Sequence, residues 1–260
     1  MDRDPRELDG AWTRSQRHGS VPPPADLAPF VERFWTAEWD YPEPYRQKIV
    51  PYPHVHLTVR PGAPAEVHGV ATRHVVRELA GPGRVAGVAF RPGAFRAFLG
   101  RPVAALTDRV VPAGEVPALA AATGQPEPVG ADGVADDVGV LRARVRAALP
   151  VTVSRTAGEA TALVARIATD RALTRVDALA AATGTSIRSL QRLFAEHVGV
   201  GPKWVIRRYR LHEVTERMAA GEPVRWTDVA AELGYADQAH MTREFTALFG
   251  EPPTAYARRY

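Results

Sequence analysis

Two stretches about fifty residues apart carry the same punctuation. The first holds Leu179-Ala180-Ala181-Ala182-Thr183-Gly184 and the second Val229-Ala230-Ala231-Glu232-Leu233-Gly234. Each reads as a short helix with a small alanine face that stops at a glycine, the residue that takes up the left-handed conformation at least cost. Small alanines let another helix cross at close range. The likeness continues downstream. Phe194 lies ten residues after Gly184 and Phe245 eleven after Gly234. Each Phe is followed by a glycine five residues on (Gly199, Gly250), a proline eight on (Pro202, Pro253) and then an aromatic, Trp204 or Tyr256. The pattern predicts two units, each a pair of steeply crossed helices joined by a tight glycine turn. A longer helix from Pro202 to Ala220 joins them, with Pro202 suited to its first turn and Gly221 to its end.

These residues resemble the DNA-binding domain of AraC/XylS-type bacterial transcription regulators, over about residues 156–260. The most specific part runs Trp226-Thr227-Asp228-Val229-Ala230-Ala231-Glu232-Leu233-Gly234-Tyr235. It continues through Met241-Thr242-Arg243-Glu244-Phe245 and Phe249-Gly250-Glu251-Pro252-Pro253-Thr254-Ala255-Tyr256. The family often has Ser-x-x-Tyr-Phe before the arginine. Here Asp237-Gln238-Ala239-His240-Met241 stands there, a departure that bears on base preference and not on fold. The resemblance implies a sequence-specific transcription regulator whose partner is double-stranded DNA, with RNA polymerase and a second copy of the chain as further partners.

A recognition helix buries one stripe and offers the other to the major groove. In the first unit Ile187, Leu190, Leu193, Phe194 and Val198 make the apolar stripe, which leaves Arg188, Gln191 and Arg192 on the other side. Arg pairs bidentately with guanine and Gln with adenine; Ser189 is in reach of a base or a phosphate. In the second unit Met241, Phe245, Leu248 and Phe249 face inward, and Gln238, Ala239, Thr242 and Arg243 outward. Asp237 suits a helix N-cap, and His240 the rim of the core. Arg207, Arg208 and Arg210 on the joining helix are in place for phosphates, which position without specifying. A solvated or ion-paired face is the competing reading for all of these, with Glu213 and Glu216 close in sequence to the last group.

The N-terminal half is different. Residues 1–26 are polar and proline-rich and read as a flexible leader. Residues 27–150 read as an effector-sensing or dimerisation domain. Val55–Val59 and Val85–Phe90 have strand character, Ala94–Leu99 follows a turn as a short helix, and residues 123–135 read as an exposed loop. The boundary to the helical half falls near residues 150–157. Phe30-Val31-Glu32-Arg33-Phe34-Trp35, Ile49-Val50-Pro51, Leu57-Thr58-Val59, His68-Gly69-Val70 and Val88-Ala89-Phe90-Arg91-Pro92-Gly93-Ala94 are similar to a domain that precedes this DNA-binding module in other regulators. The similarity implies a β-rich, cupin-like sensor and assigns no ligand. The fold class is therefore α+β, a β-rich mixed domain followed by an all-α double helix-turn-helix domain.

Trp35, Trp39, Tyr52 and Phe90, with His54 and His56, suit the wall of a small-molecule pocket, against the alternative of plain core packing. His54 and His56, two apart, would share a strand face and could hold one divalent metal with His68, His74 or Glu66. Glu66 stands ten residues on, further than a metal-binding cupin would place it, and surface or hydrogen-bonded histidines are the stronger reading. No metal or cofactor is expected. Val138, Leu141, Val145 and Leu149 recur at helical spacing and serve equally as a dimer seam or as packing against the chain's own sheet.

Composition narrows the classes. With no cysteine among 260 residues, disulfides, thiolate metal sites and cysteine nucleophiles are excluded, as is a DNA alkyl-transfer enzyme that needs a cysteine acceptor. The charged N-terminus lacks an apolar signal core, and no apolar run suits a membrane span. The expected place is the cytoplasm. The formal net charge of +4 is too small to carry a nucleic-acid argument by itself. An effector-controlled regulator leads; a regulator governed by abundance or a protein partner, and an enzyme carrying a DNA-binding module, are the alternatives.

Overall fold

The computed structural model describes residues 15–121, 134–150, 154–221 and 224–258. Most of the segment read as a loop over 123–135, the first fourteen residues of the expected leader, and residues 151–153 of the domain boundary lie outside those described.

Six strands form one antiparallel sheet: β1 (Gln16–Val21), β2 (Val31–Ile49), β3 (His56–Arg60), β4 (Ala63–His68), β5 (Val75–Phe90) and β6 (Val110–Pro112), in the order β1-β2-β5-β3-β4-β6. Two expectations are corrected. The end of the leader is an edge strand, with Gln16 opposite Trp39 and Val21 opposite Phe34. The strand expected from Val85 begins at Val75, and its partner β2 runs for 19 residues. The pair passes through Pro42 and Pro44 because a register shift between Tyr41 and Tyr45 takes them out of the ladder. A bulge tolerates proline where a regular ladder does not.

Two glycines on β5 are there for two tryptophans on β2. Trp35 faces Gly87 and Trp39 faces Gly83 across the ladder. A Cβ on either glycine would sit 2.4 Å from the opposing indole. The indoles can therefore lie flat across the neighbouring strand.

The described residues of the N-terminal part add the α-helices α1 (Arg96–Leu99), α2 (Pro117–Ala121) and the longer α3 (Val134–Ala147), with two 3-10 turns at Val103–Leu106 and Ala113–Glu115. On α3, Val138, Leu141 and Val145 are buried, and the helix packs on β2 and β5. That face is used within the chain, so it is not a free dimer seam. Arg84 pairs with the buried Asp137 at 3.0 Å, which fixes α3 to β5. Phe90 packs edge-on to Phe95, centroids 4.8 Å apart, and lies against Phe98. It is a core residue at the end of β5 and is not among the residues lining the cavity described below, contrary to its expected role at a ligand.

The helical half comprises α4 (Arg155–Thr169), α5 (Val176–Thr183), α6 (Ile187–His197), α7 (Pro202–Ala219), α8 (Trp226–Glu232), α9 (Gln238–Phe249) and α10 (Pro253–Ala257). Ser154 caps α4 by accepting from the Ala157 amide. The core of the sheet runs on without a break into α4–α6 and the first half of α7, through Val164, Leu179, Leu190, Phe194 and Ile206. A second core, built on Leu211, Val214, Met241, Phe245 and Phe249, holds the end of α7 to α8–α10.

Candidate functional site

Each helix pair turns on its glycine as the spacing requires. Gly184 (φ 63°) ends α5, and Gly234 (φ 73°) follows α8. The second helix of each pair has a side-chain cap. Ser186 accepts from the Ser189 amide at 3.1 Å and Asp237 from the His240 amide at 2.6 Å. The apolar stripes close inward, with Leu190, Phe194, Met241 and Phe245 all buried. Arg188, Gln191 and Arg192 on α6, and Gln238, Ala239 and Arg243 on α9, are exposed, with Thr242 half-buried beside them. Ser189 is less available than its position suggests, because its hydroxyl oxygen accepts from Ser186 at 2.9 Å. His240 lies at the core edge, perpendicular to Tyr235.

The joining helix overturns part of the sequence reading. Arg207 pairs with Glu244 of α9, and its guanidinium stands 5.3 Å above the Tyr235 ring. Arg208 and Arg210 are 2% and 1% exposed and cannot reach a phosphate. Arg210 donates to the carbonyls of Ile167 and Asp170 and pairs with Glu213 at 2.9 Å. It thereby satisfies orphan carbonyls where α4 ends. Arg208 donates to the Pro51 carbonyl and lies 3.8 Å above the Tyr52 ring. Helical phase around Ile206 and Leu211 leaves little outward room on this helix, so its arginines were spent on internal contacts.

Arg208 opens onto a cavity of about 560 Å³ beside the sheet, within the range of small-molecule sites. Trp35, Trp39, Tyr52, His54 and His56 line it, as the aromatic pattern suggested; Arg33 and His68 join them from the sheet. Across the cavity stand Arg208, His212 and Thr215 of α7, with Phe249 and Tyr256 from the second helix-turn-helix unit. Sequence reasoning missed this far wall. The spacing 208, 212, 215 places these three on one helix face, but nothing local shows that the face meets a sheet 150 residues upstream.

The imidazoles are held neutral. Burial, helped by the charge of Arg33, lowers His56 to about 3. Burial and then Arg208 lower His212 to about 4. Burial pushes His54 well below its ordinary value, with His56 the next cause. Trp35 Nε1 donates to His56 Nδ1 at 3.2 Å; an indole N–H only donates, so the His56 proton sits on Nε2. His54 precedes β3 rather than lying on it, and its ring is 6.1 Å from that of His56 at 81°. The pair does not converge as a strand face would require. Among the described residues no three His, Cys, Asp or Glu side chains are grouped to hold a metal ion.

The indole shelf gives a direct test. Gly87→Ala places a methyl group against the Trp35 ring, so the ring must leave the cavity wall. The expected outcome is a loss of about 1–3 kcal/mol of stability, typical of overpacking, with altered Trp35 fluorescence. Gly62, which faces open space, is the control position for a local probe without a packing clash; its positive φ of 70° makes Gly62→Asn the suitable change.

Two helix pairs turned on left-handed glycines and joined by one long helix define the double helix-turn-helix class. Residues 179–259 match the family model described as a helix-turn-helix domain. Residues 19–112 match a domain of unknown function, DUF6597. The chain is 35% identical over 92 residues to the HTH-type transcriptional regulator GlxA of Rhizobium meliloti (strain 1021), a match covering 35% of this chain and 28% of that regulator. The C-terminal domain of AraT, a response regulator from Geobacillus stearothermophilus, aligns at 17% identity with a TM-score of 0.36, over 41% of this chain and 89% of that one. Apo ToxT K231A from Vibrio cholerae aligns at 12% identity and a TM-score of 0.41, over 87% and 97% of the two chains. The C-terminal part is thus a helix-turn-helix domain, and the chain spans only 28% of the length of the regulator it matches.

Proposed function

We propose that the protein is a sequence-specific DNA-binding transcription regulator of the cytoplasm, not an enzyme, and that a small-molecule effector in its N-terminal cavity controls it. The observation that carries the DNA reading is the pair of open faces. Arg188, Gln191 and Arg192 on α6 and Gln238, Ala239, Thr242 and Arg243 on α9 flank the capped starts of two helices joined by one rigid helix. Two such helices enter successive major grooves about 34 Å apart, so one chain reads a non-palindromic site of two turns. Arg207, tied to Glu244, supports the geometry of α9 rather than a phosphate contact. The cavity supports the effector reading, because it is lined by both the sheet and the helical half.

The test is selection of bound sequences from a random DNA pool by the full chain, followed by affinity against salt. Enrichment of a two-part motif whose halves are spaced by about one helical turn supports the reading. Sequence-blind binding that disappears with added salt is the electrostatic contribution alone and sinks it. Among the described residues no helix is long and apolar enough to cross a membrane.

A further inference from the structure

Two loops of the N-terminal part lie against each other. One is residues 69–74, between β4 and β5; the other is residues 106–109, before β6. The Gly69 amide donates to the Arg109 carbonyl at 2.9 Å, and the Asp108 amide to the Val70 carbonyl at 3.0 Å. A Cβ on Gly69 would sit 1.8 Å from the Leu106 carbonyl oxygen, so this approach requires glycine. Asp108 locks the pair. Its carboxylate accepts from the Thr72 amide at 2.6 Å and from the Thr72 hydroxyl at 2.7 Å. It does so at a φ of 58°, the only positive φ outside glycine among the described residues. Aspartate tolerates that conformation better than most side chains.

Each loop ends on a different recognition helix. Thr107 donates to the carbonyl of Gly199, two residues past the end of α6. His74 donates to the carbonyl of Ala247, in the last turn of α9, from its amide at 3.2 Å and from Nδ1 at 3.0 Å. Carbonyls of a last turn have no partner within their own helix, so this one is a free acceptor. Gly250 (φ 78°) closes α9 and leaves room for the contact: a Cβ there would sit 2.9 Å from the His74 ring and 2.8 Å from Lys48. Between the two ends, the Thr72 carbonyl accepts from Trp204 Nε1 at 3.1 Å, in the first turn of α7. The two helix-turn-helix units are not closed on each other throughout. A gap of about 320 Å³ separates Arg175 and Ile187 of the first from Leu233 and Gly234 of the second.

We infer that this double loop is a brace that sets the distance between the two recognition helices, and with it the half-site spacing that the protein accepts. Asp108, Thr72 and His74 are its positioning residues; none of them touches DNA. The inference rests on the proposed reading of α6 and α9 as recognition helices. The brace runs from Gly199 through Thr107, Asp108, Thr72 and His74 to Ala247, and so joins α6 to α9 by a route other than α7. Two units on one helix can swing about it; a second connection closes the frame. One added base pair moves the far half-site about 3.4 Å along the duplex and about a tenth of a turn round it. A closed frame resists that displacement and an open one follows it. Asp108 is the weak link to test, because two charge-assisted bonds on one exposed side chain hold the loops together.

The test uses the full chain and two readouts. The chain has no cysteine, so nitroxides on Ala195→Cys in α6 and Ala239→Cys in α9, both exposed positions, report the distance between the helices without DNA. Asp108→Gly removes the carboxylate and keeps the positive φ at no steric cost. His74→Ala removes the ring donor from the other end of the brace. Asp108→Asn keeps an acceptor and tolerates the same φ. The distance distribution is expected to broaden in Asp108→Gly and His74→Ala and to stay native in Asp108→Asn. On DNA, one base pair inserted between the halves of the selected site should weaken the native chain about tenfold or more, and the two brace variants less than about threefold. Affinity for a single half-site should be the same in all. A native distance distribution in both brace variants, or a native insertion penalty in both, overturns the inference. So does an equal loss at every spacing and at the single half-site, which marks a structural role alone. Sequence-blind binding by the native chain sinks the regulator reading and the spacing role with it, while the nitroxide distances still confirm or refute the brace itself.

Discussion

Replacing Arg192 and Arg243 together with alanine is expected to cost about 2–6 kcal/mol of affinity at the selected site, roughly 30-fold to more than 10,000-fold. Each arginine is exposed on its own recognition helix, and neither has an ion pair or hydrogen bond holding it to the protein among the described residues. A bidentate arginine–guanine contact contributes about 1–3 kcal/mol of discrimination, and sites with no shared partner add. Base choice should relax at one position in each half of the motif, and the two relaxed positions should lie about one helical turn apart. Competition binding with single-base variants of the site measures both. A double variant that binds the site as tightly as the native chain ends the assignment of α6 and α9 as recognition helices. Arg207→Ala tests a different contact. It removes the tie to Glu244, so its loss of affinity should be spread over the second half-site rather than confined to one base.

What could be read from the sequence was what is local. The glycine turns, the Asp237 cap and the buried stripes of α6 and α9 follow from spacings of three to eleven residues, and the exposed faces follow as their complement. The joining helix ended within one residue of its expected limit for the same reason. The sheet was less legible. The strand character seen from Val85 extends back to Val75, and β2 passes Pro42 and Pro44 by means of the shift at Tyr41–Tyr45, a pairing that no local pattern shows. The sheet side of the cavity was legible as an aromatic cluster suited to a small-molecule pocket, without its far wall on α7. Arg208 was misread because its environment is set by Pro51 and Tyr52, more than 150 residues away. On a helix face alone, an arginine aimed at phosphate and one buried under a sheet look the same.

Phe194→Ala is expected to destabilise the whole chain by about 3–5 kcal/mol, as for other buried Phe truncations. Phe194 is fully buried in the core that runs from the sheet into the first helix-turn-helix unit. Polar contacts tie that unit and the preceding α4 to the N-terminal part: Thr107 Oγ1 donates to the Gly199 carbonyl at 2.5 Å, Arg96 pairs with Glu196 of α6, and Thr161 of α4 donates to the Pro92 carbonyl at 2.7 Å. The loss should therefore appear in hydrogen exchange of β5 as well as of α6. Phe245→Ala removes a ring of the same size from the separate second core, and its effect should be confined to α8–α10. Those helices meet the N-terminal part through Lys48 to Glu251 at 3.4 Å, His74 to the Ala247 carbonyl at 3.0 Å and Val50, which packs on the second core. Equal protection loss in β5 from both variants would show one cooperative body and refute the division. If the division holds, the first recognition helix is fixed to the sensor and only the second can be repositioned cheaply. That is also the unit whose Phe249 and Tyr256 face the cavity, so occupancy of the cavity would act on the spacing between the two recognition helices and thus on which DNA sites both can engage.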